Sequence, residues 1–368
     1  MKENLIQQIA TAPNNSGIYQ FFDKNRKALY VGKAKNLKKR LTSYTKGQNL
    51  NIRIRKMVSL AHEIEIVQTL SETEALLLEC NLIKKLMPRY NILLRDGKTF
   101  AYIEISKENF GKINKFRGKK DPKNYYFGPF ASGYAIDKTI DVLKKSFLLR
   151  SCSDSFFKNR KEPCLEYQIK RCSAPCVNFI SQENYQELIN EALDFLAGKS
   201  RKVEKELTKK MNQSSANLDY ENAAKTRDRI KAICEIQKKQ NINIMGLKNS
   251  DIIVLAREKT LAVVYISFYR SGHNYGSKPY FISVNDDDCE QEIMTNFISQ
   301  FYLDETSPSN IVIDREIEDI KIMQEFLSNQ AQYKVMISNP QKGLKYQLIK
   351  DQTTLANQEL QQKLAKIE

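Results

Sequence analysis

Three groups of residues in this chain have the types and spacing to do chemistry. The first is Glu79. In the run ETEALLLECNLIKKL, Ala75, Leu82, Ile83 and Leu86 sit at i−4, i+3, i+4 and i+7 from it, so its carboxylate projects from a mostly apolar helix face. An ionised carboxylate there is costly unless paired or bound to a metal, and Mg2+ commonly takes one carboxylate plus waters and phosphate. The plain alternative is a Glu at the edge of a wide stripe, reaching solvent or paired with Lys33 or Arg40. The second group is Gly17-Ile18-Tyr19 with Tyr30-Val31-Gly32, followed by Lys33, Arg40 and Tyr44. The i, i+7, i+11 spacing predicts the last three on one side of a helix after Gly32. An ammonium and a guanidinium held that way oppose the charge that grows on a phosphodiester under attack. A solvated basic face shared with Lys35, Lys38 and Lys39 is the competing reading. The third group, Cys152, Cys164, Cys172 and Cys176, reads C-x11-C-x7-C-x3-C and offers four thiolates to a zinc ion or an iron–sulfur cluster. Ordinary buried or surface thiols are the alternative. Cys80, Cys234 and Cys289 have no such grouping and read as packing residues.

These residues need elements to position them. SGIYQFF and ALYVG read as two strands joined by a polar turn from Asp23 to Lys27. AKNLKKRLTSY follows with helical spacing, Leu37 and Leu41 repeating at i, i+4. Ser71 with Glu74 three residues on predicts a capping box for the Glu79 helix, which must stop near Pro88. Residues 93 to 150 are mixed, with short strands AYIEIS and NYYFGPF separated by the basic stretch KINKFRGKKDPK. The text from Gln182 to about Gln240 is helical. DIIVLAR, LAVVYISFYR, KPYFISV and SNIVIDRE read as strands, followed by a helix in EDIKIMQEFLSN and a polar helix from Lys345. The fold class is therefore α+β and multidomain. A small α/β module spans 13–92, a mixed segment with the four cysteines 93–180, a helical hairpin 199–234, and a mixed α/β segment 250–368.

Composition bounds the partners. Over 368 residues, 59 Lys and Arg stand against 43 Asp and Glu, a net charge of +16 that favours a polyanion, most often nucleic acid. The N-terminal MKENLIQQIATAPNN has no apolar core of signal-peptide length, and no run approaches the ~18 apolar residues of a membrane span. Two histidines, His62 and His273, are a poor stock for multi-His zinc or Ser–His chemistry.

Taken together, SGIYQFF, ALYVGKAKNLKKRLTSY and ETEALLLECNLIKKLMPRYN resemble the GIY-YIG nuclease domain of the UvrC family of UvrABC excinucleases. The resemblance implies single-strand DNA cleavage by metal-dependent hydrolysis, with Glu79 holding one Mg2+ or Mn2+. Tyr19, Tyr30 and Lys33 would position or deprotonate the attacking water. Arg40 would stabilise phosphorane charge, with Gly32, Tyr44 and Asn91 in support. The context SFLLRSCSDSFFKNRKEPCLEYQIKRCSAPC resembles the same family, which implies a [4Fe–4S] cluster on Cys152, Cys164, Cys172 and Cys176. LDYENAAKTRDRI, by pattern any antiparallel helical hairpin capped by Asp219, resembles the UVR motif. That implies docking to the excinuclease component UvrB through Leu218, Tyr220, Glu221, Ala223, Ala224, Arg227 and Asp228.

Residues 250–368 resemble the middle of the same family. Asp314 and Glu316 are read as part of a segment preceding its RNase H-like domain, and that domain and the helix-hairpin-helix motifs are expected beyond residue 368. In RDGKTFAYI the family usually has proline before the aromatic, and Ala101 is expected to alter a turn. The implied activity is incision of damaged double-stranded DNA 3′ to a lesion, without 5′ incision, in the cytoplasm, with UvrB as direct partner and UvrA as indirect partner. The rival expectations are a non-catalytic adaptor binding DNA and UvrB, and a free-standing structure-specific nuclease.

Overall fold

A computed structural model describes residues 2–45, 50–94, 100–239, 247, 249–285 and 287–366. By contacts it groups into two units: residues 1–97 with 251–266 and 279–368, and residues 98–250 with 267–278.

The first unit begins with α1 (Glu3–Ala10), then β1 (Gly17–Phe22) and β2 (Ala28–Ala34) as an antiparallel hairpin. Asp23 makes the turn, its Oδ1 accepting from the backbone of Asn25 at 2.8 Å and of Lys27 at 2.9 Å. α2 (Leu37–Thr45) follows, then α3 (Ile52–Leu60) and β3 (Glu63–Gln68), which pairs with β1 on its other edge. GIYQFF is therefore the central strand, and all six residues are buried. α4 (Glu72–Leu86) starts as expected: Ser71 Oγ accepts from Glu74 N at 3.1 Å. Glu74 caps in return one residue further out, at Leu70 N, 2.8 Å. The helix ends at Met87, in the left-handed region ahead of Pro88. Leu5, Ile9, Phe21, Leu37, Leu41 and Met57 build the module's core.

Several features differ from the sequence reading, among them α5 (Gly133–Phe147) and a strand at Ile113–Phe116 inside the stretch read as a basic separator. α1, α3 and β3 were not anticipated, although EIEIVQ alternates as a half-buried strand does. The helix after Gly32 begins at Leu37, because Lys33 and Ala34 continue β2. Ala101 opens β4 and is buried, and the turn it was expected to alter falls on residues 95–99, which lie outside the described residues.

The second unit contains β4 (Ala101–Ile105), β5 (Ile113–Phe116) and β6 (Tyr125–Phe130), an antiparallel sheet ordered β5-β4-β6 with α5 (Gly133–Phe147) packed on it. The cysteines lie around two short helices, α6 (Asp154–Lys158) and α7 (Leu165–Gln168). α8 (Gln182–Leu196) leads into the hairpin of α9 (Ser200–Ala216) and α10 (Tyr220–Lys239). The break is shorter than NQSSANLD suggests, only Asn217–Asp219, and Asp219 Oδ1 caps α10 by accepting from Asn222 N at 3.2 Å.

The remaining elements are β7 (Asn249–Glu258), β8 (Leu261–Arg270), β9 (His273–Ser283), α11 (Glu290–Asp304), β10 (Asn310–Ile313), α12 (Ile320–Ala331), β11 (Met336–Ser338) and α13 (Leu344–Leu364). Their sheet is ordered β11-β10-β7-β8-β9, with β10 and β11 parallel. α11 and α12 pack on α4 within the first unit. Among the described residues no helix is long and apolar enough to cross a membrane.

Candidate active site

β1, β2 and α2 bring three phenols and one guanidinium together. Tyr19, on the central strand, places its hydroxyl 2.6 Å from that of Tyr44, and Arg40 Nε donates to the Tyr19 oxygen at 3.2 Å. Arg40 and Tyr44 are one helical turn apart, and the guanidinium also lies over the Tyr44 ring at 5.5 Å. Tyr30 joins diagonally. The register pairs it with Phe21, yet its ring centroid is 6.3 Å from that of Tyr19. Gly32 stands opposite Tyr19, and a Cβ there would lie 2.5 Å from the Tyr19 hydroxyl, so only glycine lets that ring lie across β2. Burial raises the pKa of both Tyr30 and Tyr44 above the ordinary phenol value, with the Tyr19 hydroxyl adding to the shift. The Tyr19 and Tyr44 hydroxyls raise that of Arg40, whose charge is secure.

Glu79 reaches this group from α4. Its Oε1 accepts from the backbone N–H of Lys33 at 2.9 Å, and among the described residues Oε2 has no hydrogen-bond partner. The alternative of a side-chain pairing with Lys33 or Arg40 gives way to a bond to the Lys33 backbone. The Lys33 ammonium instead donates to Asp319 Oδ2 at 2.7 Å, at the start of α12. The expectation that Lys33, Arg40 and Tyr44 share one helix face is corrected, since Lys33 is a strand residue and only the other two lie on α2. Asn91 acts as a mock strand on the free edge of β2: it accepts from Val31 N at 2.9 Å and donates to Val31 O at 2.8 Å. No signal in the sequence could have found Asp319, Glu292 or Glu318, which lie more than two hundred residues on and whose charges bear on Glu79 or Lys33.

Burial pushes the Glu79 carboxyl up to about 7, against the pull of the Lys33 charge and backbone bond. Burial works to lower the Lys33 pKa, but the Asp319 hydrogen bond and the Glu79 charge outweigh it, so the ammonium is kept. Without metal, native Glu79 holds a proton that the unfolded chain has released above its ordinary value of 4.5. Stability is therefore lost as pH rises from about 4.5 to about 7. In EDTA, the melting temperature of the wild type should fall across that window more steeply than that of Glu79→Gln. Parallel curves would remove the buried-carboxyl account.

The cysteines are less tightly drawn together. Cys172 is buried and its thiol is pushed up to about 11, by burial first and then by Cys164, Cys152 and Cys176, which lie near enough to add to it. Among the described residues no three His, Cys, Asp or Glu side chains group closely enough to hold a metal ion. Burial pushes the Cys80 thiol up to about 12, as suits a packing residue, whereas Cys289 is exposed, which corrects its reading as one. At the hairpin tip Leu218 and Tyr220 are 72% and 65% exposed. Glu221 pairs with Lys225, and Arg227 with Asp228, while Ala223 and Ala224 are half-buried. Asp314 is already engaged: it accepts from Leu255 N at 3.1 Å and pairs with Arg315 at 2.7 Å.

Four family models match the chain: a UvrC-like GIY-YIG domain over residues 15–92, the UvrC/Cho excinuclease middle domain over 100–195, the UvrB/uvrC motif over 201–235, and a UvrC ribonuclease H-like domain over 249–363. The last corrects the reading of 250–368 as a stretch ahead of any such domain. UvrABC system protein C of Bartonella henselae is 42% identical over 98% of this chain and 55% of its own length. That of Rhodopseudomonas palustris strain HaA2 is 42% identical over 98% and 52%, and that of Agrobacterium fabrum 44% over 90% and 49%. The chain spans about half the length of the curated relatives it matches. The solved GIY-YIG endonuclease domain of UvrC from Thermotoga maritima, bound to magnesium, is 39% identical, with 25% of this chain and 100% of that one covered at a TM-score of 0.24.

Proposed function

This chain belongs to the UvrABC system protein C family over the span it shares with its relatives, and from that premise we propose a metal-dependent DNA endonuclease of nucleotide excision repair that cuts one strand 3′ to a lesion. The observation that carries the reading is Glu79. Its carboxylate has one oxygen fixed by the Lys33 backbone and the other without a partner among the described residues, beside the phenols and Arg40.

Glu79 would hold a single Mg2+ or Mn2+. A divalent ion there supplies Lewis-acid polarisation of the phosphate and a lowered pKa for its bound water. The chain's own groups do the rest. Tyr19 accepts from Arg40 and can accept from Tyr44, which leaves its own hydroxyl proton for a phosphate oxygen or the attacking water. Arg40 faces the charge that grows on the phosphorane. Tyr30, held as the neutral phenol by burial, positions the water and does not deprotonate it. Lys33, held as the ammonium, contributes charge once the phosphate displaces Asp319. Gly32 leaves room for the Tyr19 ring, and Asn91 holds the edge of β2.

DNA and UvrB would be the direct partners, in the cytoplasm. The hairpin tip suits the second role: Leu218 and Tyr220 are apolar and exposed, and the charged pairs behind them would set partner choice and encounter rate. The double variant Leu218→Asp/Tyr220→Ala should bind UvrB at least about tenfold more weakly, as loss of an aromatic anchor does. Unchanged affinity in a titration would remove this assignment. The four cysteines would take up a metal or an iron–sulfur cluster by closing around it. Anaerobically purified protein should show broad visible absorption with iron bound; a colourless zinc protein would overturn the cluster. The function itself is tested by strand-resolved nicking of a damage-containing duplex with UvrB and magnesium, where cutting 3′ to the lesion is expected. Binding without any cutting would support the adaptor reading.

A further inference from the structure

The sheet β5-β4-β6 has two unlike faces. α5 packs against it, and Ala101, Ile103 and Ile105, at alternate positions of β4, are buried. Tyr102 and Glu104 point the other way, and their cross-strand partners on that face are Phe116 of β5 and Tyr126 of β6. The Phe116 and Tyr126 rings lie 5.0 Å apart, and both are only half-buried. Tyr126 is held in place by its hydroxyl, which donates to Glu104 Oε1 at 2.8 Å. Tyr102 lies against the bare backbone of Gly128, where a Cβ would stand 2.7 Å from its ring.

This aromatic face is bordered by positive charge. Lys107–Lys123 carries seven cations and two acids. Lys112 and Lys115 are spent on Asp154 and Asp137. The loop from β5 to β6 must cross the end of β4, and it carries Arg117, Lys119, Lys120 and Lys123. Lys119 and Lys123 are exposed, and the Lys120 ammonium sits 3.7 Å over the Tyr102 ring.

We propose that this face binds single-stranded DNA, with bases stacked on Phe116 and Tyr126 and the β5–β6 loop following the phosphates. A nucleotide strand offers a π-face and a negative charge in every unit, which matches rings bordered by cations. An acidic peptide offers the charge without the ring, and a duplex keeps its bases stacked on one another. The residues involved are not those of the Glu79 site, and the proposal stands whether or not that site cuts.

The test uses the full chain in EDTA, so that no cleavage intervenes, with a fluorescein-labelled oligothymidine of about fifteen nucleotides and a duplex of equal length, read by anisotropy across a salt series. Lys119→Gln/Lys123→Gln should weaken strand binding and flatten the log–log salt slope by about 1.4, the value for two single-strand phosphates. Phe116→Leu should weaken strand binding about 5- to 100-fold and leave duplex binding within roughly twofold. Circular dichroism melts establish that each variant is folded. Strand affinity and salt slope unchanged in the lysine variant would overturn the proposal. So would equal losses on strand and duplex for Phe116→Leu, or displacement of the strand by polyglutamate as readily as by unlabelled oligothymidine. Loss of nicking in Glu79→Gln with strand binding intact would leave it standing.

Discussion

Glu79→Gln is expected to lower magnesium-dependent nicking by about a thousandfold or more, because the ion's contribution to phosphodiester hydrolysis is several kcal/mol and each factor of ten corresponds to about 1.4 kcal/mol. The substitution is close to isosteric. The side-chain carbonyl of the new glutamine can still accept from the Lys33 backbone, so the bond at 2.9 Å and the α4–β2 contact should survive. What is lost is the negative charge and one hard oxygen ligand. The variant should melt no lower than the wild type in EDTA at pH 8, since it removes a carboxylate whose ionisation opposes folding there. It should also bind UvrB normally, as the hairpin residues are untouched. Nicking at the wild-type rate, with magnesium still required, would mean that the ion is held elsewhere and would remove Glu79 as its ligand.

Gly32→Ala should cost activity far more than stability, and Gly17→Ala should do the reverse. At Gly32 the added Cβ would lie 2.5 Å from the Tyr19 hydroxyl, 2.6 Å from Tyr19 Cζ and 2.9 Å from the Tyr30 ring. Those atoms belong to side chains, so the strand pairing can persist while the two rings are pushed aside. Overpacking of this kind costs about 1–3 kcal/mol. Displacing Tyr19 by about an ångström parts it from Tyr44 and Arg40 and should reduce nicking roughly a hundredfold. At Gly17 the Cβ would stand 2.3 Å from the carbonyl oxygen of Val67, in the neighbouring strand backbone. A backbone cannot turn away as a ring can, so β1 and β3 must separate. Measured per folded molecule, Gly17→Ala should keep its activity while its melting temperature drops. The reverse ranking of the two variants would sink the claim that Gly32 serves the phenols.

Much of this protein is written locally, and that part is legible in the amino-acid order. The hairpin follows from GIYQFF and ALYVG with an Asp-led turn, the start of α4 from Ser71 and Glu74, its stop from Pro88, and the cap of α10 from Asp219. Each depends on neighbours within a few residues, where backbone sterics and capping hydrogen bonds act. The basic balance, and the residue types at Tyr19, Tyr30, Arg40, Tyr44 and Glu79, likewise needed no coordinates. Spacing failed where the decision was made by distant parts of the chain. Lys33 has helical spacing to Arg40, yet it lies in β2 because pairing with β1 extends through Ala34 and uses its backbone N–H on Glu79. Its ammonium meets Asp319, 286 residues away. Asn91 finds Val31 only because β2 is an edge strand. The order β11-β10-β7-β8-β9 places β7 between β10 and β8 although β10 follows it by some fifty residues, a neighbourhood that no local pattern specifies. Periodicity reports which face of an element is apolar. Which elements meet, and so which charges stand beside the carboxylate, is set by burying those faces together.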